Sequence, residues 1–321
     1  MMRVALLDDY QQCALGLADW KSLDPDATVQ VFSDHIHELE PLAKRLHTFE
    51  CVVLMRERTP FPRALFEKLP NLKLLITSGR RNASIDEQAA TDHGVQVCGT
   101  DLKGMGTAEL TWGLIIACLR NIVAEDRALR AGKWQTTLGL DLAGRTLGLL
   151  GLGRLGSEVA RVGTAFRMKP IAWSPNLTAA RATAAGATLV TKDELMAQSD
   201  VLSVHLVLSD RTHGLVGKAD LARMKPTAYL INTSRGPIVD EAALAEHLRQ
   251  HKIAGAGIDV FSIEPLPMDS PYRGLDNIVL TPHLGYVTRD NYAYHFPQVV
   301  EIIRAFARGE VVKGINKLAA R

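Results

Sequence analysis

Three residue types that suit one kind of chemistry stand just after three separate apolar runs. Ala228–Asn232 leads into Thr233-Ser234-Arg235-Gly236-Pro237, Gly255–Val260 into Phe261-Ser262-Ile263-Glu264-Pro265, and Ile278–Leu280 into Thr281-Pro282-His283. Arg235 offers a guanidinium fork that can pin a carboxylate and polarise a neighbouring carbonyl. His283, as imidazolium, can give a proton to that carbonyl oxygen. Glu264 can pair with the ring's charge and hold its orientation. Taken singly, Arg235 could bind a helix end, Glu264 could be a solvated loop acid and His283 a satisfied core histidine. Together on one edge of a sheet, the three suit hydride transfer to a 2-oxo acid.

A hydride source is legible upstream. Thr146–Leu150 is a short apolar run that suits a buried parallel strand. Gly151-Leu152-Gly153-Arg154-Leu155-Gly156 then fits G-x-G-x-x-G, and Ser157–Phe166 has helical spacing. The first glycine allows the tight turn, the second lets a pyrophosphate approach the backbone, and the third lets helix and strand pack closely. This strand–turn–helix predicts dinucleotide binding. The acid that usually binds the ribose lies about 20 residues on, at the end of the second strand. Ser174 and Asn176 stand there instead. Without a carboxylate to repel a 2′-phosphate, NADP(H) is expected to be accepted at least as well as NAD(H). Arg154 and Arg181 are candidate phosphate partners.

The elements that must position these residues fall into two alternating series. Val4–Leu7, Val29–Phe32, Cys51–Met55, Leu74–Thr77 and Val95–Cys98 read as strands, with helical stretches such as Glu40–Leu46, Arg63–Leu69 and Ile85–Asp92 between them. Such alternation specifies a parallel sheet covered by helices. Ligands of such sheets sit beyond the carboxyl ends of the strands. Arg56-Glu57-Arg58 and Ser78-Gly79-Arg80-Arg81-Asn82 fall there and could hold carboxylates, or could be solvated charged loops. Met105–Leu129 reads as one long helix that crosses between domains. From Thr146 a second series begins, with strands expected at Thr146–Leu150, Pro170–Trp173, Val201–Val204, Ala228–Asn232, Ile253–Asp259 and Asn277–Leu280. A last helix, Arg289–Arg308, has Thr288 as candidate N-cap and Pro297 as an expected kink. The fold class is therefore α/β, with two doubly wound parallel-sheet domains.

Composition bounds the function classes. The 321 residues are 47% hydrophobic and 22% charged, as in an ordinary globular protein with room for two cores. A net charge of +2 gives no basic field for nucleic acid. No apolar run reaches the roughly 18 residues of a membrane span. Cys13, Cys51, Cys98 and Cys118 are widely spaced and form no C-x-x-C, which suggests buried thiols in a reducing, cytoplasmic setting. No metal ligands are expected.

The segments GLGRLG, NTSRGPIVDEAAL, GIDVFSIEP and TPHLGYVT resemble the motifs of the D-isomer-specific 2-hydroxyacid dehydrogenases. The similarity runs from about Gly106 to about Thr288 and is looser in the first hundred residues. The resemblance implies that Arg235, Glu264 and His283 are the catalytic set, acting on a 2-oxo or D-2-hydroxy acid. It implies a Rossmann cofactor domain (104–288) inserted into a flavodoxin-like substrate domain made of both chain ends (1–103 and 289–321), and a homodimer built on the cofactor domains. It implies that Asp259 bonds the nicotinamide carboxamide and that His205, Thr233 and Gly285 line the cofactor with Gly151, Gly153, Arg154, Leu155 and Gly156. Gly79 and Arg80 match the loop whose backbone holds the substrate carboxylate, and Ser78 and Arg56, from their places after the strands, are candidate substrate residues beside them. Three departures stand out. Ser174 replaces the common aspartate, and Val207 replaces the proline of HLPLT, a change expected to be mild. The Ser78–Asn82 loop differs from the usual glycine-valine form, so that added arginines, with Arg58, could suit a second anionic group. Two rivals share such a fold or turn: a scaffold or corepressor that binds NAD(P) without turnover, and a methyltransferase.

Overall fold

The computed structural model describes residues 1–318, which divide into two compact units, Met1–Gly104 with the segment from Thr288 onward, and Met105–Val287. In the first unit β1 (Met2–Leu6), β2 (Ala27–Val31), β3 (Cys51–Leu54), β4 (Leu74–Thr77) and β5 (Gln96–Gly99) form a parallel sheet in the order β2-β1-β3-β4-β5. β3 and β4 are buried along their whole length, which is why they read as unbroken apolar runs rather than alternating ones. Helices α1 (Leu39–Leu46), α2 (Arg63–Phe66) and α3 (Glu87–Asp92) accompany them. α1 buries Leu42, Ala43 and Leu46 at helical spacing, and they join Val52, Leu54, Phe61, Phe66 and Leu75 in one core. Each fully buried leucine, valine or phenylalanine among them contributes about 1.5–3 kcal/mol.

The second unit opens with α4 (Gly106–Leu119) and α5 (Ile122–Arg130). One long helix crossing between the domains was expected, yet both helices lie wholly in the second unit. The chain also breaks at Arg120–Asn121, where Asn121 takes a left-handed φ of 51°, and the two helices are bent by 60°. Asparagine tolerates that conformation better than most residues. The break also matches a change of environment, because α4 buries seven side chains and α5 none. No single described helix is long and apolar enough to cross a membrane.

Seven parallel strands follow in the order β12-β11-β10-β9-β6-β7-β8. They are β6 (Thr146–Leu150), β7 (Lys169–Trp173), β8 (Thr188–Leu189), β9 (Val201–Val204), β10 (Tyr229–Asn232), β11 (Gly255–Ile258) and β12 (Ile278–Leu280). The two-residue β8 is too short to show a period and was not anticipated. Helices α6 (Arg154–Ala165), α7 (Ala179–Ala184), α8 (Lys192–Gln198), α9 (Lys218–Leu221) and α10 (Glu241–Arg249) connect them. The strand order reverses at β6, so the ligand edge lies at the carboxyl ends of β6 and β9. After β12 the chain rejoins the first unit as α11 (Arg289–Ala307), capped by Thr288 on Asn291 N–H. Pro297 lies inside α11 without ending it. Among the described residues all four cysteines are free.

Candidate active site

The register of the larger sheet explains how distant motifs come together. Trp173, Leu150, Val204, Asn232, Ile258 and Leu280 are paired in one row across β7, β6, β9, β10, β11 and β12. The next residues along the chain are Ser174, Gly151, His205, Thr233, Asp259 and Thr281. Five of these six were singled out from the sequence as site residues, and all leave the sheet at one level on one edge.

The glycine turn fits a dinucleotide. Gly151 has a φ of +106°, and a Cβ there would lie 2.8 Å from the backbone of His205. A Cβ on Gly156 would lie 2.2 Å from the Gly151 carbonyl oxygen, so this glycine is what lets α6 close on the turn. A Cβ on Gly153 would meet nothing within 4 Å. Gly153 is also the N-cap of α6 and supplies no side-chain cap, so the first N–H groups of that helix face an open, exposed position. That is the cradle an anion needs. Arg154, the first residue of the helix, is exposed and reaches the Met105 sulfur at 3.0 Å, and Leu155 beside it is half-buried. At the end of β7, Ser174 is half-buried and Asn176 exposed. Arg181 donates to the Asn176 carbonyl at 3.4 Å, which brings a guanidinium to this corner.

His205 lies against the turn as a neutral ring. Burial pushes it down to about 4, and its Nε2 shares a 2.8 Å hydrogen bond with the Ser203 hydroxyl. It lines the turn without supplying a countercharge. Val207, nearby, is exposed, and its carbonyl accepts from Thr212 Oγ1 at 2.7 Å.

The loops after β10, β11 and β12 carry the acid–base groups. His283 Nδ1 and Glu264 Oε2 are 2.6 Å apart, and both side chains are mostly buried. The other carboxylate oxygen of Glu264 accepts the Phe261 N–H at 2.8 Å, so this acid is fixed at both ends. His283 itself has a left-handed φ of 54°, and its N–H donates to the Asp259 carbonyl at 2.8 Å. The Tyr286 ring meets the imidazole edge-on at 5.4 Å. Arg235 is half-buried, its Nη1 bonded to the Ser234 carbonyl at 2.7 Å. Asn232 shapes its loop by donating to the Arg235 carbonyl and accepting from the Ser234 N–H, each at 3.0 Å. The two loops touch backbone to backbone, since a Cβ on Gly236 would lie 2.2 Å from the Phe261 carbonyl carbon.

Asp259 was expected to face the cofactor. Its carboxylate is fully buried and turned to the histidine loop, accepting from Thr281 Oγ1 at 2.6 Å, Leu284 N–H at 2.7 Å and Gly285 N–H at 3.0 Å. Burial raises its carboxyl, while these donors and the nearby imidazole oppose the rise. Sequence reading also missed two anchors on α4. Thr107 Oγ1 donates to the Gly285 carbonyl at 3.0 Å, and Thr111 Oγ1 bonds Thr233 Oγ1 at 2.8 Å. A signal was there: two threonines at i, i+4 form a polar stripe on an otherwise apolar helix.

In the first unit, Arg56 takes a left-handed φ of 57° and is locked to the β4 loop. Its N–H donates to Ser78 Oγ at 2.9 Å and its Nη1 to the Ser78 carbonyl at 3.2 Å. Gly79 has a φ of +93°, which favours glycine, and a Cβ there would displace the Arg56 guanidinium, whose Nη1 would be 2.2 Å away. Arg80 is exposed and paired with Asp101 at 2.8 Å. Arg58 is buried, donating to the Asp8 carbonyl at 2.9 Å under the Tyr10 ring. It serves the fold, which removes it from the arginines that could meet a second anionic group. Among the described residues, no group of three or more His, Cys, Asp or Glu side chains is placed to hold a metal ion.

A family model for the NAD binding domain of D-isomer specific 2-hydroxyacid dehydrogenases matches residues 112–285. The chain belongs to the D-isomer-specific 2-hydroxyacid dehydrogenase family. It carries a five-stranded and a seven-stranded parallel sheet. It is 38% identical to a glyoxylate reductase of Aeropyrum pernix over 77% of each chain. It is 37% identical to a D-3-phosphoglycerate dehydrogenase of Archaeoglobus fulgidus over 87% of this chain and 53% of that one. A phosphoglycerate oxidoreductase of Vibrio cholerae, known from its crystal structure, superposes with a TM-score of 0.92 at 38% identity, covering 96% of this chain and all of the other.

Proposed function

We propose that this dehydrogenase interconverts a 2-oxo acid and its D-2-hydroxy acid, with a nicotinamide dinucleotide held at Gly151–Gly156. The observation that carries the reading is the 2.6 Å Glu264–His283 pair on the edge that also bears the glycine turn and Arg235. The bound nicotinamide supplies or accepts the hydride. Arg235 binds the substrate carboxylate and draws electron density from the reacting carbonyl. With Nδ1 held by Glu264, the other ring nitrogen of His283 is left to give or take the proton at the substrate oxygen. Glu264 offsets the positive charge on the ring while it carries that proton.

The cofactor preference we infer is for NADPH at least equal to NADH. It rests on Ser174 and Asn176 where a carboxylate would repel a 2′-phosphate, and on Arg181 at the same corner. We also infer a homodimer. Ile122, Leu129, Trp134 and Leu138 are exposed apolar residues within one stretch of chain, and Asn121 Nδ2 ties the Leu138 carbonyl back to the start of α5 at 3.3 Å. An apolar surface of this kind calls for a partner, and a second copy is the one proposed. The four free thiols support a cytoplasmic setting. The deciding experiment is a panel of glyoxylate, hydroxypyruvate, pyruvate, oxaloacetate and phenylpyruvate, each assayed with NADH and NADPH. Turnover of at least one is expected. Tight cofactor binding with no turnover of any would favour a non-catalytic scaffold.

A further inference from the structure

We propose that Glu241 is a positioning residue for the reaction: its carboxylate fixes the turn that aims Glu264 at His283. The inference rests on the reading of Glu264 and His283 as the acid–base pair. Glu241 is the first residue of α10, directly after its N-cap. The capping task is already taken, because Asp240 accepts the Ala243 N–H at 3.0 Å. Glu241 turns the other way and accepts the Ser262 N–H at 2.6 Å, and the Ser262 hydroxyl bonds it as well. Adjacent N–H groups of one turn are therefore held by two different carboxylates. Phe261 N–H goes to Glu264 at 2.8 Å, within the loop, and Ser262 N–H goes to Glu241, on another element.

The arrangement carries a cost that a structural role does not need. Ser262 is exposed, so water could satisfy its N–H. Glu241 is instead half-buried, which raises its carboxyl; the Ser262 N–H and hydroxyl partly offset that rise, and the charge of Glu264 adds to it. Two acids placed to repel one another across one turn are poor design for stability alone. What the clasp secures is direction. The Glu264 side chain can meet His283 Nδ1 only if the Phe261–Glu264 turn keeps its shape, and a rigid supporting shell is what holds a reacting pair in register.

The test compares Glu241→Ala, Glu241→Gln and Glu241→Asp in the full-length protein. The readouts are kcat, KM for the oxo acids that wild type turns over, and cofactor affinity by nicotinamide fluorescence. Glu241→Ala removes the acceptor and should lower kcat about tenfold or more while KM and cofactor affinity stay within about twofold. Glu241→Gln keeps an amide oxygen for Ser262 N–H and should recover most of kcat. Glu241→Asp keeps the charge but is a methylene short, and should resemble the alanine variant. The Asp–Gln comparison decides the matter even if Glu241→Ala does not fold. Wild-type kcat in Glu241→Ala or Glu241→Asp, or a Gln variant no better than Asp, would overturn the proposal. Failure of wild type to turn over any oxo acid would overturn the catalytic reading itself, and this inference with it.

Discussion

Replacing Gly236 by alanine should damage catalysis more than stability. A Cβ at Gly236 would lie 2.2 Å from the Phe261 carbonyl carbon, 2.5 Å from the Ser262 nitrogen and 2.6 Å from the Phe261 oxygen. Ordinary carbon contacts are about 3.5–4.0 Å. The overlap is thus more than 1 Å, and every atom met is backbone, so no side chain can rotate away. Relief requires the Arg235 and Glu264 loops to separate by about that amount. Overpacking of this kind costs about 1–3 kcal/mol. A 1 Å misplacement of reacting groups costs about 10²-fold in rate. Gly236→Ala should therefore melt several degrees lower, yet lose about two orders of magnitude in kcat. Gly153→Ala is the matched control, because its Cβ meets nothing within 4 Å in the chain. That variant should melt like wild type and lose cofactor affinity, since the methyl occupies the open approach to the turn. Thermal melts, cofactor titration and steady-state kinetics separate the two patterns. Wild-type kcat in Gly236→Ala would show that the two loops do not work as one unit.

His283→Ala should keep cofactor affinity and lose at least about 10²-fold in kcat, measured under saturating cofactor. Ser174→Asp should raise kcat/KM with NADH relative to NADPH, and an unchanged ratio would separate position 174 from cofactor choice. Stability should fall in mild acid, because burial pushes His205 down to about 4 and His295 to about 3. Both rings must lose their proton to fold, so their contribution is full above the ordinary histidine value of about 6.5 and drains away as pH drops toward 4, by about 1.4 kcal/mol per ring per pH unit. Melting temperatures of wild type and of His295→Gln across pH 4–7 check this, with a shallower decline expected in the variant.

Much of this architecture is legible in residue order. Parallel strands buried on both faces announce themselves as apolar runs, and Gly151–Gly156 declares its own turn chemistry. Arg235, Glu264 and His283 were found because each follows such a run, which a sheet edge then gathers. What escaped notice depends on side-chain direction. Nothing in the local pattern shows that Asp259 turns inward to three donors of its own neighbourhood, or that Glu241 crosses to another loop. Arg58 looked like a ligand group because charge is visible in sequence and burial under Tyr10 is not. The break at Asn121 was hidden by helix-forming residues on either side, where one left-handed residue outweighs their propensity.

The common row at which six strands of the larger sheet end has an architectural corollary. Adjacent strands are about 4.8 Å apart. The span between the glycine turn and the strand that carries Asp259 is thus metered by the ladder, not by the length or composition of any connecting segment. Connections on the opposite edge can lengthen, shorten or change composition while the chemistry stays in step. The loops on the working edge have no such freedom, because they bond one another at Glu264–His283, Leu284–Asp259 and Ser262–Glu241.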